Sequence, residues 1–171
     1  IPINVGYVAS FTSKYLNKLG INHSFKIFKD PTKIINAIKN EKPDVVGLSI
    51  YFWNLAMNQY IVKCLRKMFG QDVIIILGGP SIDSDAQEQR RYLSTVFPGA
   101  DALTLNEGEV SFSNIIEKIL GNRETVFKDP IDGAIFLDGD RLVQGPPIGL
   151  TMDLSTMGSF AGCCPAPHTP D

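Results

Sequence analysis

Three short stretches combine small and polar residues in a way that suits a ligand: Ser49-Ile50-Tyr51, Gly78-Gly79-Pro80 and Asn106-Glu107-Gly108-Glu109. Nowhere does the chain set an acid, a base and a nucleophile at spacings that catalysis would need. The chemistry on offer is therefore binding: glycines admit a ligand against bare backbone, and Ser49 adds a hydroxyl. Each stretch also has an ordinary explanation. Gly78-Gly79-Pro80 reads equally as a tight turn after a strand, and Tyr51, Phe52 and Trp53 read as core packing. Glu107 and Glu109 suit the positive end of a helix dipole. His23 and His168 read as solvent-exposed side chains, since neither has a His or Cys at metal-ligand spacing, apart from the Cys163-Cys164 pair before His168. No metal ligand and no catalytic residue is assigned.

What gives these stretches meaning is the elements that precede them. Val45-Val46-Gly47-Leu48 is a short uncharged run after the Pro43-Asp44 punctuator, as expected of a strand buried on both faces, and it delivers Ser49. Val73 to Leu77 is a second such run and delivers Gly78, while Asp101 to Leu105 is a third and delivers Asn106. Helices fall between them. Leu55 to Phe69 carries Ile61, Cys64, Leu65 and Met68 on one side and stops at Gly70. Asp85 to Phe97 is a weaker pattern, and Phe112, Ile115, Ile116, Ile119 and Leu120 mark a helix closed by Gly121. Such alternation predicts a doubly wound parallel sheet with right-handed crossovers, its three loops side by side on the carboxyl edge.

Upstream, Val5, Val8, Phe11, Tyr15, Leu16 and Leu19 recur at helical spacing from Asn4 to Leu19, although Ile3, Val5 and Tyr7 also fit a strand. Ser24 to Phe28 alternates briefly and predicts an edge strand. Asp30-Pro31 is a helix start, with Ile34, Ile35 and Ile38 facing inward and Pro43 closing it. Downstream, Ala134 to Leu137 and Arg141 to Val143 flank Asp138-Gly139-Asp140, a hairpin signal. The chain thus divides into an α/β domain over 1–125, a hairpin extension over 126–150 and a linker or disordered tail over 151–171.

The totals exclude several classes. With 171 residues, 44% hydrophobic, 20% charged and a net charge of -2, the composition is that of one soluble globular domain. It is too acidic for a nucleic-acid surface and has no membrane-length apolar run, which leaves a small molecule or a protein as partner. Three cysteines make no disulfide framework and point to a reducing, cytoplasmic setting. Without an initiator Met, the chain reads as cut from something longer.

Ser49-Ile50-Tyr51, followed after residues 52–77 by Gly78-Gly79, resembles the S-x-L and G-G motifs of cobalamin-binding domains. With YFWN, GGPSI, NEGE and the IDGAIFLDGDRL hairpin, the resemblance extends over about residues 1–155. The wider pattern is similar to the N-terminal domain of cobalamin-dependent radical S-adenosylmethionine (SAM) proteins. It implies a flavodoxin-like, Rossmann-like fold holding cobalamin at Gly6, Ser49, Ile50, Tyr51, Gly78, Gly79, Pro80, Glu107 and Gly108, with the corrin over the carboxyl edge and the nucleotide tail threaded past Ser49, Gly78 and Gly79. It also implies a parent enzyme of methyl transfer or related radical chemistry, with SAM and a [4Fe-4S] cluster in a downstream radical domain. One motif departs. The family's D-x-H-x-x-G falls on Ile1 to Gly6, where Gly6 is kept but Ile3 replaces the His that ligates cobalt, and isoleucine has no lone pair to give. The alignment further implies that the first, central strand lies upstream of Ile1 and is missing, leaving a gap in the sheet. Two rival readings are a flavodoxin-like protein-interaction module without corrin, and a truncated fragment that holds nothing.

Overall fold

The computed structural model describes residues 3–106 and 108–149. Helix α1 (Ile3–Lys18) forms where the helical spacing places it, which settles the helix-or-strand choice for Ile3 to Tyr7. Helix α2 (Pro31–Asn40) starts at the expected cap: the Asp30 carboxylate accepts the Thr32 N–H at 2.8 Å, and Pro31 occupies the first turn. Strand β1 (Val45–Ser49), α3 (Leu55–Phe69), β2 (Ile74–Gly78), α4 (Ala86–Arg91), β3 (Ala102–Thr104) and α5 (Glu109–Gly121) follow in alternation. The helix expected to run to Phe97 instead widens after Arg91 into a π turn, Tyr92–Val96, closed by the Phe97 N–H on Tyr92 O at 2.7 Å.

All five strands form one sheet in the order β1-β2-β3-β4-β5. The first three are parallel, with Val45 opposite Ile74 and Leu77 opposite Leu103. β4 (Ala134–Asp138) joins β3 antiparallel and turns at Gly139, φ 60°, into β5 (Arg141–Gln144), so the hairpin continues the same sheet. Alternation along β2 divides the core. Ile75 and Leu77 pack with Ile61, Val62 and Leu65 of α3, and Ile74 and Ile76 pack with Ile115 of α5. Helix α1 lies along α5, joined to it by the buried Thr12 Oγ1–Ser113 Oγ hydrogen bond of 2.9 Å.

Expectations about two of the strands are corrected. Ser24 to Phe28 forms no strand: Phe25 and Ile27 are partly covered and Ser24 and Lys26 exposed, so the alternation is real, but no ladder forms there. Alternation specifies which face is apolar and leaves open whether a neighbour exists to accept the hydrogen bonds. The described strands form one continuous sheet with β1 at its edge, and the strand expected upstream of Ile1 lies outside the described residues. One face of β1 is less covered than expected, because Gly47 has no side chain and only the Phe112 ring comes over it.

A staple holds the amino end of the parallel strands. Arg66 on α3 donates Nε–H to Gly99 O at 2.6 Å, Nη1 to Gly70 O and Val73 O at 2.8 and 2.6 Å, and Nη2 to Asp101 Oδ2 at 2.5 Å. The same Asp101 oxygen accepts the Ile75 N–H at 2.6 Å. Burial pushes the Asp101 carboxyl above its ordinary value, opposed by the Ile75 N–H and the Arg66 guanidinium. Arg66→Ala leaves a buried carboxylate short of its cation, a loss of about 3 kcal/mol at neutral pH. Removing Arg66 raises the folded pKa of Asp101 further above its unfolded value, so the native state binds the extra proton. The penalty therefore shrinks as pH falls through the folded pKa towards the unfolded one. Urea unfolding at pH 8 and pH 5 should show a smaller loss at pH 5.

Candidate functional site

Because β1, β2 and β3 run parallel, their following loops emerge together at the carboxyl edge. Ser49 ends β1. Its Oγ accepts from Asn4 Nδ2 of α1 at 3.0 Å, and the same amide donates to Tyr51 Oη at 2.8 Å. The Ser49 carbonyl accepts from Asn54 Nδ2 at 2.9 Å and Asn58 Nδ2 at 3.1 Å, while Asn54 Oδ1 accepts the Tyr51 N–H at 2.8 Å. Three asparagines thus fix the loop after β1. None was singled out from the sequence; the available signal was two carboxamides, Asn54 and Asn58, four apart where a strand gives way to a helix.

The glycines after β2 serve close approach. The Ile50 N–H donates to Gly78 O at 2.6 Å and Ser81 N–H to Ile50 O at 3.4 Å, so the two loops pair backbone to backbone. At Gly79, φ 120°, a Cβ would stand 2.6 Å from Ile50 O, and at Gly78 it would stand 2.6 Å from Thr104 Oγ1. The space a Cβ would take at these two glycines is held by the Ile50 backbone and the Thr104 side chain. Pro80 continues the turn, and Tyr92 Oη donates to Ser81 O at 3.0 Å.

Further along the edge, Asn106 takes φ 59° and Gly108 φ 79°. A Cβ at Gly108 would make only ordinary contact, 3.5 Å from Thr104 Oγ1 and 3.8 Å from Val8 Cγ2. The first turns of α1 therefore reach both ends of the edge: Asn4 touches Ser49 and Tyr51, and Val8 stands beside Gly108. Gly6 lies between them, buried in the helix. Of the expected ligand residues, Gly6, Ser49, Ile50, Tyr51, Gly78, Gly79, Pro80 and Gly108 are at this edge, and Glu107 lies outside the described residues. Glu109 opens α5 and is buried.

Two further expectations change. Phe52 and Trp53 are not core: they are 81% and 67% exposed, with the Tyr51 and Trp53 rings stacked at 4.5 Å. A turn closed by the Asn54 N–H on Tyr51 O swings them off the edge, and a turn position cannot be read from aromatic composition. His23 is half-buried, its Nε2 bonded with Ser13 Oγ and its Nδ1 with Ile21 O, both at 2.8 Å. His168 and Cys163-Cys164 lie outside the described residues. Among the described residues no three His, Cys, Asp or Glu side chains cluster to hold a metal, and no helix is long and apolar enough to cross a membrane.

The two glycines predict different mutant behaviour. Gly79→Ala sets a Cβ against backbone that cannot move without unpairing the loops, and should cost several kcal/mol, about 3 or more. Gly78→Ala meets only a side chain, so Thr104→Ala in the same molecule should restore most of the loss. Thermal unfolding of the three variants checks both statements; equal, unrescued losses would contradict them.

The sequence matches the family model described as "B12 binding domain" over residues 4–116, two thirds of the chain. It is 26% identical over 166 residues to cytidylyl-2-hydroxyethylphosphonate methyltransferase of Streptomyces wedmorensis, covering 85% of this chain and 29% of that protein. It is 26% identical to an uncharacterized methyltransferase of Pyrococcus horikoshii, covering 72% of this chain and 26% of that protein. With the cobalamin-dependent radical SAM methyltransferase TokK of Streptomyces tokunonensis it shares 24% identity, over 70% of this chain and 17% of that protein. The chain thus spans less than a third of the length of these curated relatives. The α/β sheet with its loops gathered on one carboxyl edge, and a family match that runs from α1 into α5, agree in placing this chain in the B12-binding domain family.

Proposed function

We propose that this chain is the cobalamin-binding module of a longer radical SAM methyltransferase, and that it binds the cofactor without a histidine beneath the cobalt. The observation that carries the reading is the junction of α1 with the carboxyl edge, where Asn4 bonds Ser49 and Tyr51 while Val8 meets Gly108. That edge offers carboxamides, hydroxyls and bare backbone, which suit a large, neutral, amide-rich ligand. A metal already ligated by its own macrocycle asks for no protein donor. When bound, cobalamin supplies a cobalt that can carry a methyl group; the protein's part is to hold and orient it.

The cofactor is assigned to the neighbourhood of Gly6, Ser49, Ile50, Tyr51, Gly78, Gly79, Pro80, Glu107 and Gly108, with its nucleotide tail running past Ser49, Gly78 and Gly79. Since Gly78 and Gly79 are already occupied by Thr104 and Ile50, they shape the floor of this neighbourhood, and the tail lies over them towards α1 and Gly108. The parent's SAM, its [4Fe-4S] cluster and a radical domain downstream are part of the proposal, supported by the name of one relative, the radical SAM methyltransferase TokK, and by the fraction of the relatives' length that this chain spans. A cytoplasmic setting belongs to it as well.

One observation favours a second reading. Phe52 and Trp53 present apolar rings to solvent, a feature of protein-interaction surfaces, so a docking module without corrin is the rival. Mixing the folded chain with hydroxocobalamin and removing the excess by gel filtration separates the two: corrin absorbance should co-elute with protein. An intact far-UV spectrum with no retained corrin would sink the cobalamin reading. Retained cob(II)alamin should also show the same electron paramagnetic resonance spectrum in wild type and in the variant His23→Ala/His168→Ala, the chain's two histidines. A change on removing them would mean that a histidine binds the cobalt.

A further inference from the structure

The loop that carries Gly108 has a second neighbour. On its other side a cavity of about 230 Å3 opens between that loop, the α4 entry and the base of the hairpin. Its volume is that of roughly eight water molecules. Ser84, Gln89, Asn106, Ser111 and Gln144 supply the polar wall, and Leu105, Ile135, Pro147 and Ile148 the apolar wall. None of the described residues lining it carries a charge.

We propose that this cavity receives primary carboxamide arms from the rim of the corrin ring, an inference that rests on the cobalamin reading above. The polar wall is already a chain of amides. Gln89 is fully buried; its Nε2 donates to Asp83 O at 2.9 Å, and its Oε1 accepts from Gln144 Nε2 at 2.7 Å. A ligand amide that donates to Gln144 Oε1 adds one more link of the same kind, and the Ser84 and Ser111 hydroxyls can meet its oxygen. Leu105, Ile135, Pro147 and Ile148 suit the methylene stem of such an arm. A carboxylate in the same place has no N–H to give Gln144 Oε1 and sets acceptor against acceptor, and the described lining residues offer no cation to pair it.

Position supports the match. Leu105, Asn106, Ser111 and Ile148 line both this cavity and a small recess that reaches Gly108. Gly108 in turn stands beside Val8, at the wall of the ligand edge. A macrocycle lying over that edge therefore brings its rim to the cavity mouth. Asn106, held at φ 59° with its Nδ2 on Ile148 O at 3.4 Å, stands at the crossing.

The test compares hydroxocobalamin with its monocarboxylic acids, in which one amide arm at a time is hydrolysed, on the full 171-residue chain. At least one acid isomer should bind about tenfold more weakly than hydroxocobalamin, the consequence of a lost amide donor and an acceptor set against Gln144 Oε1. Gln144→Lys, on an exposed position of β5, should erase or reverse that preference for the same isomer by offering a cation. Asn106→Gly keeps the positive φ, removes the carboxamide and should weaken hydroxocobalamin several-fold. Tight binding of hydroxocobalamin with equal affinity for every acid, or a preference untouched by Gln144→Lys, would overturn the cavity assignment while leaving the cobalamin reading intact. No binding of any corrin by folded protein would overturn both.

Discussion

At the carboxyl edge, the whole arrangement depends on one contact between two loops with no side chain between them. The Ile50 N–H meets Gly78 O at 2.6 Å, and Gly79 lies so close to Ile50 that a Cβ there would fall within 2.6 Å of its oxygen. Parallel strands stand nearly 5 Å apart, and their loops usually diverge once the ladder ends. Here the ladder is carried one residue further by glycine, so the loops after β1 and β2 leave as a pair. Everything polar at the edge is then referenced to that pair. Asn54 and Asn58 hold the Ser49 carbonyl, Asn4 holds the Ser49 hydroxyl, and Thr104 leans over Gly78.

Ion pairing and neutral polar side chains are concentrated at opposite ends of the same strands. The amino end is stapled by Arg66 and Asp101, partly buried and hydrogen-bonded through carbonyls of Gly70, Val73 and Gly99. The middle is aliphatic on both faces, with Ile74, Ile75, Ile76 and Leu77 all buried. At the carboxyl end Asn4, Ser49, Asn54, Asn58 and Thr104 gather as neutral amides and hydroxyls. A sheet anchored in this way can afford an edge rich in glycine and in neutral amides, since the strands there are already positioned from the other end.

Helix α1 links that edge to the far face. It packs on α5 through Thr12 and Ser113, both buried, so the registry of α1 along α5 sets where Asn4 and Val8 arrive. A polar contact between helices specifies registry better than aliphatic contact does, because a slip leaves buried hydroxyls unpaired. Asn4 then reaches two residues of the loop after β1, and the long-range geometry of the ligand edge follows from a pair of hydroxyls about two turns further along α1.

Much of this was written in local pattern. The strands at Val45, Ile74 and Ala102, the helix start at Asp30-Pro31 and the turn at Gly139 follow from burial periodicity, capping and φ preferences, each acting over a few residues. Ser49, Gly78 and Gly108 could be placed on one edge because parallel topology leaves their loops no other end. Tertiary structure alone decided the rest. Whether Ser24 to Phe28 pairs depends on a neighbouring strand; whether Gly78 and Gly79 open a slot or close one depends on Thr104 and Ile50, distant in sequence. Whether Phe52 and Trp53 are core depends on which way a turn projects. Local sequence specifies a residue's conformation and apolarity; which atoms fill the space beside it is a property of the assembled chain.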